Sequence, residues 1–532
     1  MAQVTTARRR GTRAGPGVVV AGLALVFAAC GGAGDTVAVG MRVDFGGFNP
    51  ITNTDQYTDE LIKYALFTPL IRYDAELEVE PYLADSWTPA GDTAVVFELR
   101  RDVRWHDGVP VTAEDVKFTF DRAKNPVTAS LVGSVFLAEV ATATVLDSFR
   151  IRFDFARPHA QALEDFWWAP APKHLLEEVA PERLAAAPFN QRPVGSGPFR
   201  FVDRRQNDRL VMEPNPDFPA ALGGPAAARV VLRIIPEPAT TMTELLTGGI
   251  QVNIPVEADQ AELVLEAPGY RLYDFPGRTL FYVGWNTRRA PFTSPIVRRA
   301  MTLAVDRQQI VDGLLEGYGT VATSTVPPWH PYHPDDVPPL PHDPAAARAL
   351  LAEAGWRDRD GDGVRERDGA RLEFEILTTD RPLNRAVVEV MQEQLRAVGA
   401  RARIRVLEFQ AMLAQHRARD FDAVLSNWVL DNFQMAAAPS ALFHSRWAEV
   451  PNSANRSGVA IPRLDHLIDR AAAATEPTAA RRIYREMTEL LQAEQPFTFM
   501  FWVSELAAAS TALDGVRMDQ RGEFTSVADW SR

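Results

Sequence analysis

Residues 80–116 read EPYLADSWTPAGDTAVVFELRRDVRWHDGVPVTAEDV. An apolar run that starts at Val95 is typical of a β-strand, and the Asp-Gly pair within residues 105–108 predicts a turn that closes it. Thr112 is a typical N-cap residue, so the next helix is predicted to begin there. The segment therefore predicts a strand, a turn and a helix in succession, and we interpret residues 105–108 as structural rather than ligand-binding.

Short β-like runs and amphipathic helical stretches alternate along the chain from Val37 onward. Residues 230–235 read VVLRII and precede a helical stretch at 239–246. A further helix is predicted to begin at residues 343–344 (DP) and to end at Gly355. This pattern indicates a mixed α/β fold, and 532 residues are enough for two or three packed lobes.

The composition is that of a globular protein with an acidic surplus. The chain has 56 basic and 69 acidic residues, which gives a formal net charge of -13. Because an acidic protein repels phosphate backbones, we expect no nucleic-acid partner. The sequence holds no Gly-x-Ser-x-Gly, His-Glu-x-x-His or Walker-type motif, so we expect a binding protein without a cofactor rather than an enzyme.

Two segments could suggest a metal ion. Residues 330–342 hold three histidines, but the prolines among them and their irregular spacing favour a loop. Residues 358–363 (DRDGDG) match the start of a calcium loop, yet Gly369 stands at the twelfth position, where a bidentate Glu is needed. We therefore predict no metal site.

The first thirty residues form a separate targeting segment. A basic start is followed by an apolar run at 18–27, which is too short to span a bilayer, and then by residues 28–30 (AAC). Cys30 is the only cysteine in the chain, so no intramolecular disulfide can form. Its position after two small residues and before a glycine-rich tether resembles the lipobox of bacterial lipoproteins. A plain secretory signal is the alternative.

Residues 80–116 resemble the signature of the family 5 extracellular solute-binding proteins, the oligopeptide, dipeptide and nickel binders of ABC importers. Four further segments are similar to the family in the same order: 193–199 (PVGSGPF), 244–252 (ELLTGGIQV), 286–306 (NTRRAPFTSPIVRRAMTLAVD) and 421–431 (FDAVLSNWVLD). The resemblance covers the chain from about residue 37 to about residue 515. It implies an α/β, two-lobed periplasmic binding protein of type II with a hinge between the lobes and an extra subdomain inserted in the first lobe.

The resemblance also implies limits for each part of the chain. The expected parts are a lipoprotein signal peptide at 1–30, a flexible tether at 31–36, lobe I at 37–277 with an inserted subdomain at about 75–190, lobe II at 278–504, and a C-terminal return to lobe I at 505–532.

Asp431 is the first candidate for a ligand contact. It follows the apolar strand 423–425 beside Trp428, and a carboxylate at the mouth of a buried strand needs a positive partner. The resemblance implies that this partner is the free α-amino group of a peptide, and the alternative is a loop cap or a pair with a nearby arginine. Trp428 and Trp285 are further candidates because flat aromatic faces suit a cleft, and either could instead be core.

The resemblance implies polar ligand contacts from the first lobe at Asn53, Thr54, Gln56 and Tyr57. A solvated loop is the alternative for these four residues. A ligand carboxylate would also need a cation, which the sequence alone does not identify.

The resemblance implies a substrate-binding lipoprotein that captures peptides by hinge closure and delivers them to the permease subunits of an ABC importer. Such a protein would be exported and monomeric, and it would be tethered through Cys30 at the periplasmic or outer face of a bacterial membrane. The alternatives are a binder of a non-peptide solute such as chelated nickel or an oligosaccharide, a secreted hydrolase, and a signalling lipoprotein.

The lipobox interpretation predicts that Cys30→Ser abolishes acylation. The thiol of Cys30 is the acceptor, and stable anchoring takes more than one acyl chain. Wild type should therefore incorporate radiolabelled palmitate and partition into detergent, whereas the variant should do neither. A wild-type protein that incorporates no label would contradict the lipoprotein interpretation.

Overall fold

The computed structural model describes residues 36–158, 162–430, 433, 435, 437–474 and 476–532. Within these residues no helix is long and apolar enough to cross a membrane. Cys30 and the predicted signal segment lie outside the described residues. The strands are β1 Thr36–Met41, β2 Ile71–Tyr73, β3 Val79–Pro81, β4 Ala84–Pro89, β5 Ala94–Leu99, β6 Val140–Asp147, β7 Arg150–Phe155, β8 Phe199–Arg205, β9 Arg209–Pro214, β10 Arg229–Ile234, β11 Val252–Ile254, β12 Tyr270–Trp285, β13 Gly319–Val321, β14 Glu366–Arg367, β15 Ala370–Arg371, β16 Glu373–Thr379, β17 Arg401–Leu407, β18 Ala423–Val429 and β19 Phe497–Ser510.

Helices follow the strands throughout the chain, as the sequence pattern predicts. They are α1 Gln56–Leu61, α2 Ala113–Lys124, α3 Lys173–Leu176, α4 Pro238–Leu246, α5 Ala261–Glu266, α6 Pro295–Ala304, α7 Arg307–Leu314, α8 Pro344–Glu353, α9 Pro382–Arg396, α10 Phe409–Arg417, α11 Ala437–Phe443, α12 Pro462–Ala473 and α13 Pro477–Glu494. Proline opens α4, α6, α8, α9, α12 and α13, where its missing N–H costs no helical hydrogen bond.

The signature segment contains the predicted strand, turn and helix, but the turn does not close the strand as predicted. The strand is β5, which ends at Leu99, whereas the turn at 105–108 closes a bridge between Arg104 and Pro110. Thr112 caps α2 in a reciprocal capping box with Asp115. The turn is held by His106, whose Nδ1 accepts from the N–H of Gly195 at 3.1 Å and whose Nε2 lies 3.2 Å from the carbonyl oxygen of Gly197. Burial lowers the pKa of His106 to about 4, so the ring is neutral and donates from Nε2. The block is therefore structural, as its sequence predicts.

The predicted helix at 343–355 is confirmed at its start. The Oδ1 of Asp343 accepts from the N–H of Ala346 at 2.8 Å and caps α8. The helix ends at Glu353, and Gly355 follows with φ of +85°, a left-handed conformation that glycine adopts without strain.

One large mixed sheet runs through the molecule in the order β17-β16-β18-β12-β19-β11-β1-β10-β9-β8, and β13 pairs with β19. β12 and β19 are antiparallel partners from Tyr270↔Ser510 to Gly284↔Phe497, and their register shifts between Pro276 and Leu280. A separate antiparallel sheet, β4-β5-β7-β6, packs against α2. This second sheet lies within the segment where the inserted subdomain is predicted.

The hydrophobic cores divide at the register shift between β12 and β19. One core takes residues between Val37 and Phe275 and between Ala507 and Trp530, together with Phe433, and we call the part of the chain that supplies these two ranges lobe I. Two other cores take residues between Leu280 and Trp502, and we call this part lobe II. The limits predicted for the lobes fall within the same two strands, and they stay a prediction.

Lobe II packs helices on both faces of its part of the sheet. Along β12, Phe281, Val283 and Trp285 enter one core, whereas Leu280 and Tyr282 enter the other. Successive side chains of a strand point to opposite faces, so this alternation requires apolar cover on each side. A strand that is covered on both faces needs consecutive apolar residues rather than an alternation of apolar and polar ones.

Gly277 lies in β12 where this strand passes between the two lobes, and its close packing predicts that even a methyl side chain would destabilise the protein. A Cβ at Gly277 would overlap the carbonyl oxygen of Val503 and would lie 2.8 Å from the Oε1 of Glu505. Gly277→Ala should therefore lower the free energy of unfolding by about 1–3 kcal/mol, measured by urea titration. The matched control is Gly313→Ala in α7, where a Cβ meets nothing within 4 Å, and it should be neutral or slightly stabilising. Equal stability of the two variants would contradict a tight crossing.

Candidate functional site

Two adjoining cavities lie between lobe I and lobe II. The apolar cavity has a volume of about 650 Å³, and its lining includes Val135, Ala138, Trp428, Leu430, Ala441 and Ala472. The acidic cavity has a volume of about 1120 Å³, and its lining includes Tyr73, Glu78, Glu164, Tyr332, Phe433 and Arg481. Pro158 and Ala473 line both cavities, so the two adjoin at this point.

The apolar cavity is walled mainly by small and aromatic side chains of lobe II. Ala437, Ala438 and Ala441 come from α11, and the half-buried ring of Trp428 comes from the end of β18. On the lobe I side, Arg157 pairs with Glu139 at 2.7 Å. Most of the lining of this cavity is apolar, so it offers apolar surface to a ligand.

Carboxylates dominate the acidic cavity. Glu76, Glu78, Asp92 and Glu164 line it, while Arg481 is the one arginine or lysine among its described lining residues. The pKa of Glu164 is raised to about 8, first because burial penalises its charge and then because neighbouring carboxylates repel it. Acidic residues therefore outnumber basic residues in the described lining of this cavity.

An aromatic contact joins the two lobes at the inner end of the acidic cavity. The ring of Phe433 lies 4.9 Å from Tyr73, 5.2 Å from Trp167 and 5.7 Å from Trp329, measured between ring centroids. Trp329 in turn donates from Nε1 to the carbonyl oxygen of Gly277 at 3.2 Å. Phe433 is thus packed against lobe I, and its neighbour Trp329 contacts β12.

Asp431, the first ligand candidate, lies outside the described residues. The described residues on either side of it belong to the cleft: Leu430 lines the apolar cavity, and Phe433 lines the acidic cavity. The N–H of Leu430 donates to the carbonyl oxygen of Arg278 at 3.0 Å. The role of Asp431 as the amine contact stays a prediction.

The two candidate tryptophans have different places in the structure. Trp428 lines the apolar cavity with a half-buried ring. Trp285 is fully buried in a lobe II core, where its Nε1 donates to the hydroxyl of Thr498 at 3.1 Å and its ring packs on Phe292 at 4.5 Å. The core alternative therefore holds for Trp285, because its ring is enclosed and its one donor is already paired.

The four polar candidates of lobe I lie at the start of α1. Asn53 is buried and forms a turn with Asp55, whose N–H donates to its Oδ1 at 3.1 Å, while Thr54 is exposed. Gln56 opens α1, and burial raises the pKa of Tyr57 well above its ordinary value. None of the four lines either of the two interlobe cavities. The structure does not bring them together with the aromatic residues of the cleft.

Comparison with known families identifies this architecture. The model of the bacterial extracellular solute-binding proteins, family 5 Middle, matches residues 78–449. The chain belongs to this family. The match confirms the resemblance drawn from residues 80–116, and it makes the chain an extracellular solute-binding protein rather than an enzyme.

Curated relatives and solved structures agree with this assignment. The solute-binding protein is 27% identical over 498 residues to the oligopeptide-binding protein AppA of Bacillus subtilis, covering 91% of this chain and 89% of AppA. It is 26% identical over 512 residues to the dipeptide-binding protein of Escherichia coli, covering 90% and 89% of the two chains. The structure of AppA in complex with a nonapeptide matches with a TM-score of 0.76 over 93% of this chain and 98% of AppA, at 26% identity.

A further solved structure supports the fold. NikZ from Campylobacter jejuni, in complex with Ni(L-His), matches the solute-binding protein with a TM-score of 0.78 at 24% identity. The match covers 94% of this chain and 99% of NikZ. It confirms the α/β fold expected from the sequence over nearly the whole length of the chain.

The acidic run at 358–363 lies on a hairpin of the solute-binding protein. Asp358, Asp360, Asp362 and Glu366 bring one carboxylate oxygen each within 4.8 Å of one another, just before the β14–β15 hairpin. These carboxylates serve the turn itself: Asp358 accepts from the N–H of residue 361 at 2.8 Å, and Asp362 pairs with Arg371. These contacts give the acidic residues of the run a role in the turn.

Three carboxylates meet where the lobes join. The side chain of Glu60 accepts from the N–H of Glu523 at 2.8 Å and from Arg278 at 3.2 Å, and all three residues are buried. Burial raises the pKa of Glu60 to about 7, although Arg278 lowers it. Burial, followed by the charges of Glu60 and Glu505, raises the pKa of Glu523 well above its ordinary value. One arginine therefore faces three carboxyl groups, and part of this cluster holds protons at neutral pH.

Sequence reasoning missed these residues and Glu164. Glu60 lies in a short amphipathic helix, where a carboxylate ordinarily faces solvent, so its position gives no signal of burial. Glu164 had a usable signal, because residues 164–168 (EDFWW) place two acids directly before three aromatic residues that are buried. An acidic pair directly before an apolar run therefore indicates a carboxylate that is buried with that run.

The carboxylate cluster predicts a pH-dependent stability. The folded protein binds protons that the unfolded chain, with ordinary glutamate pKa values near 4.5, has lost. The contribution of these protons to the free energy of unfolding should therefore be complete below about pH 4.5, and it should be lost as the pH rises through 7. Glu523→Gln should reduce the fall in melting temperature between pH 5 and pH 8, whereas the exposed control Glu262→Gln should not. The same fall in both variants would contradict a buried proton at Glu523.

Proposed function

We propose that this solute-binding protein captures peptides between its two lobes and delivers them to the permease of an ABC importer. The observation that supports this most directly is the pair of adjoining interlobe cavities, of about 650 and 1120 Å³. Pockets for single small ligands usually hold about 300–1000 Å³. A ligand with several residues uses such a space better than a chelated metal ion does.

The chemistry of the two cavities also suits a peptide. The apolar cavity offers Trp428 and alanines to an uncharged side chain, and the acidic cavity offers carboxylates to a cationic group. AppA and the dipeptide-binding protein are named for peptide ligands, and AppA has been solved with a nonapeptide. These relatives support the same ligand class for this chain.

The topology supports capture by hinge closure. β12 and β19 pass from lobe I to lobe II side by side, and their register shift lies between the two cores. A pair of strands that bends at such a point lets the lobes rotate without unfolding either core. Ligand would stabilise the closed state by touching both lobes at once.

Within this proposal, Asp431 anchors the free amino group of the peptide, and Cys30 anchors the protein to the bacterial membrane. A desolvated ammonium–carboxylate pair holds the peptide main chain without selecting a side chain. The described neighbours Leu430 and Phe433, which line the two cavities, support a position for Asp431 beside the ligand. The permease would then receive the peptide from the opened cleft.

The amine anchor predicts the effect of Asp431→Ala. Removing one partner of a desolvated charge pair costs about 2–5 kcal/mol, so peptide affinity should fall by roughly thirty-fold or more, measured by calorimetry. N-acetylation of the peptide should weaken wild-type binding comparably, and the two changes together should cost much less than their sum. The control is Asp121→Ala, an exposed residue on α2, which should bind as wild type does.

Three ligand probes test the wider proposal in the same calorimeter: a mixture of peptides of two to five residues, Ni²⁺ with histidine, and a maltooligosaccharide mixture. Peptide binding is the expected result. Equal affinity for free and acetylated peptides would contradict the amine anchor but not the peptide ligand. Binding of nickel–histidine or of the oligosaccharides without any binding of peptides would contradict the peptide ligand.

A further inference from the structure

The acidic cavity contains a carboxylate whose charge is not balanced by the protein. The Oε2 of Glu164 is enclosed, and no hydrogen-bond donor reaches it among the described residues. No ion pair to Glu164 occurs in the part of the chain that the structure describes. An enclosed acceptor without a donor is costly, and its usual explanation is a ligand or an ion.

The surroundings of Glu164 increase this cost. Asp165 and Glu78 both repel its charge. Arg481, the cation in the cavity lining, donates from Nε to the carbonyl oxygen of Pro331 at 2.8 Å. Arg481 forms no ion pair with Glu164. Among the described residues of the cavity wall, Glu164 therefore has no positive partner.

Aromatic rings complete the same cavity. Tyr73, Trp87, Tyr332 and Phe433 all line it, from lobe I and lobe II. The negative faces of such rings attract ammonium and guanidinium groups, and this attraction strengthens where water is excluded. Rings together with an unbalanced carboxylate favour an organic cation over a metal ion, because metal ions take oxygen, nitrogen or sulfur ligands rather than ring faces.

We propose that Glu164 binds a cationic group of the transported ligand, an ammonium or a guanidinium, and that the acidic cavity thereby selects peptides with a basic side chain. This inference rests on the proposed peptide function. It assigns a residue of lobe I to the ligand, opposite the lobe II loop that carries Asp431. The cation could be supplied by a lysine or arginine side chain or by the peptide's α-amino group, and the experiment below separates the two sources.

Protonation of Glu164 should be coupled to binding. Below a pKa of about 8 the free cavity holds a proton on this carboxyl, and a bound cation would displace it. Nine titratable or charged groups among the described residues face Glu164 or share its cavity. They are Asp165, Glu78, Glu76, Asp92, Tyr73, Tyr332, Tyr484, His330 and Arg481. Burial lowers the pKa of His330 to about 3 and raises the pKa values of the three tyrosines, so these four stay neutral between pH 6 and pH 9.

The direction of the pH effect follows from this proton. Affinity for a cationic peptide should rise about five-fold from pH 7 to pH 8, because the fraction of ionised Glu164 in the free protein rises by that factor when the pKa is about 8. Close to one proton should be released per peptide bound at pH 7. A neutral peptide should show neither effect.

The test uses the full mature chain and pentaalanine peptides in which lysine replaces each position in turn. Norleucine peptides are the matched set, since norleucine keeps the aliphatic stem without the ammonium, and N-acetyl forms of both sets remove the α-amino charge. Competition is read by native mass spectrometry, and affinities and proton release are read by calorimetry in two buffers. The variants are Glu164→Gln and the exposed lobe I control Glu182→Gln.

We expect wild type to prefer at least one lysine peptide over its norleucine counterpart by roughly thirty-fold or more, in free and acetylated forms alike. Glu164→Gln should reduce this preference to about three-fold or less, while Glu182→Gln should keep it. Equal binding of lysine and norleucine peptides, with a proton release that acetylation abolishes, would assign the α-amino group as the cation at Glu164. That outcome would support the cation site and overturn selection of basic side chains.

Equal binding of lysine and norleucine peptides by wild type, with no proton released, would overturn the proposal and leave the peptide function intact. This comparison needs no variant, so it stands even if Glu164→Gln folds poorly. A protein that binds none of the peptides but binds nickel–histidine would overturn the cation site together with the peptide function.

Discussion

The pairing of β12 with β19 is the constraint on which the rest of the structure depends. These two strands carry the sheet from one lobe to the other, and the hydrophobic cores separate where their register shifts. The shift leaves room for Gly277 and no side chain, and its carbonyl oxygen receives the indole N–H of Trp329 from lobe II. The two lobes are therefore joined at a short crossing of two strands that requires a glycine, and the cavities lie beside this crossing.

Buried charge is handled in two different ways on either side of this crossing. At the junction, Glu60 is satisfied by Arg278 and by backbone N–H groups, so the protein itself supplies the compensation. In the acidic cavity, Glu164 has no such donor among the described residues, and its pKa is raised accordingly. A buried carboxylate that the protein compensates needs no ligand, whereas the desolvation of an uncompensated one is offset when a cation binds.

Local sequence rules predicted the elements well and the site only in part. Thr112 and Asp343 begin helices because a capping side chain acts on its own N-terminal turn and needs no distant partner. Trp285 and Trp428 occur in neighbouring strands, and each has an asparagine beside it in the sequence, yet one is core and the other lines a cavity. That difference depends on what packs opposite each ring, which comes from distant parts of the chain. Glu164 escaped notice for the same reason, since its missing partner is a property of the folded cleft.

The aromatic contact at Phe433 links the sequence of lobe II to the core of lobe I. Phe433 follows β18 in the sequence of lobe II, but its ring packs on Tyr73 and Trp167 of lobe I. Any rotation of one lobe relative to the other would have to separate these desolvated rings. Asp431 precedes Phe433 by two residues in the sequence. If Asp431 binds the ligand as proposed, the ligand contact is therefore only two residues away from the packing that links the lobes.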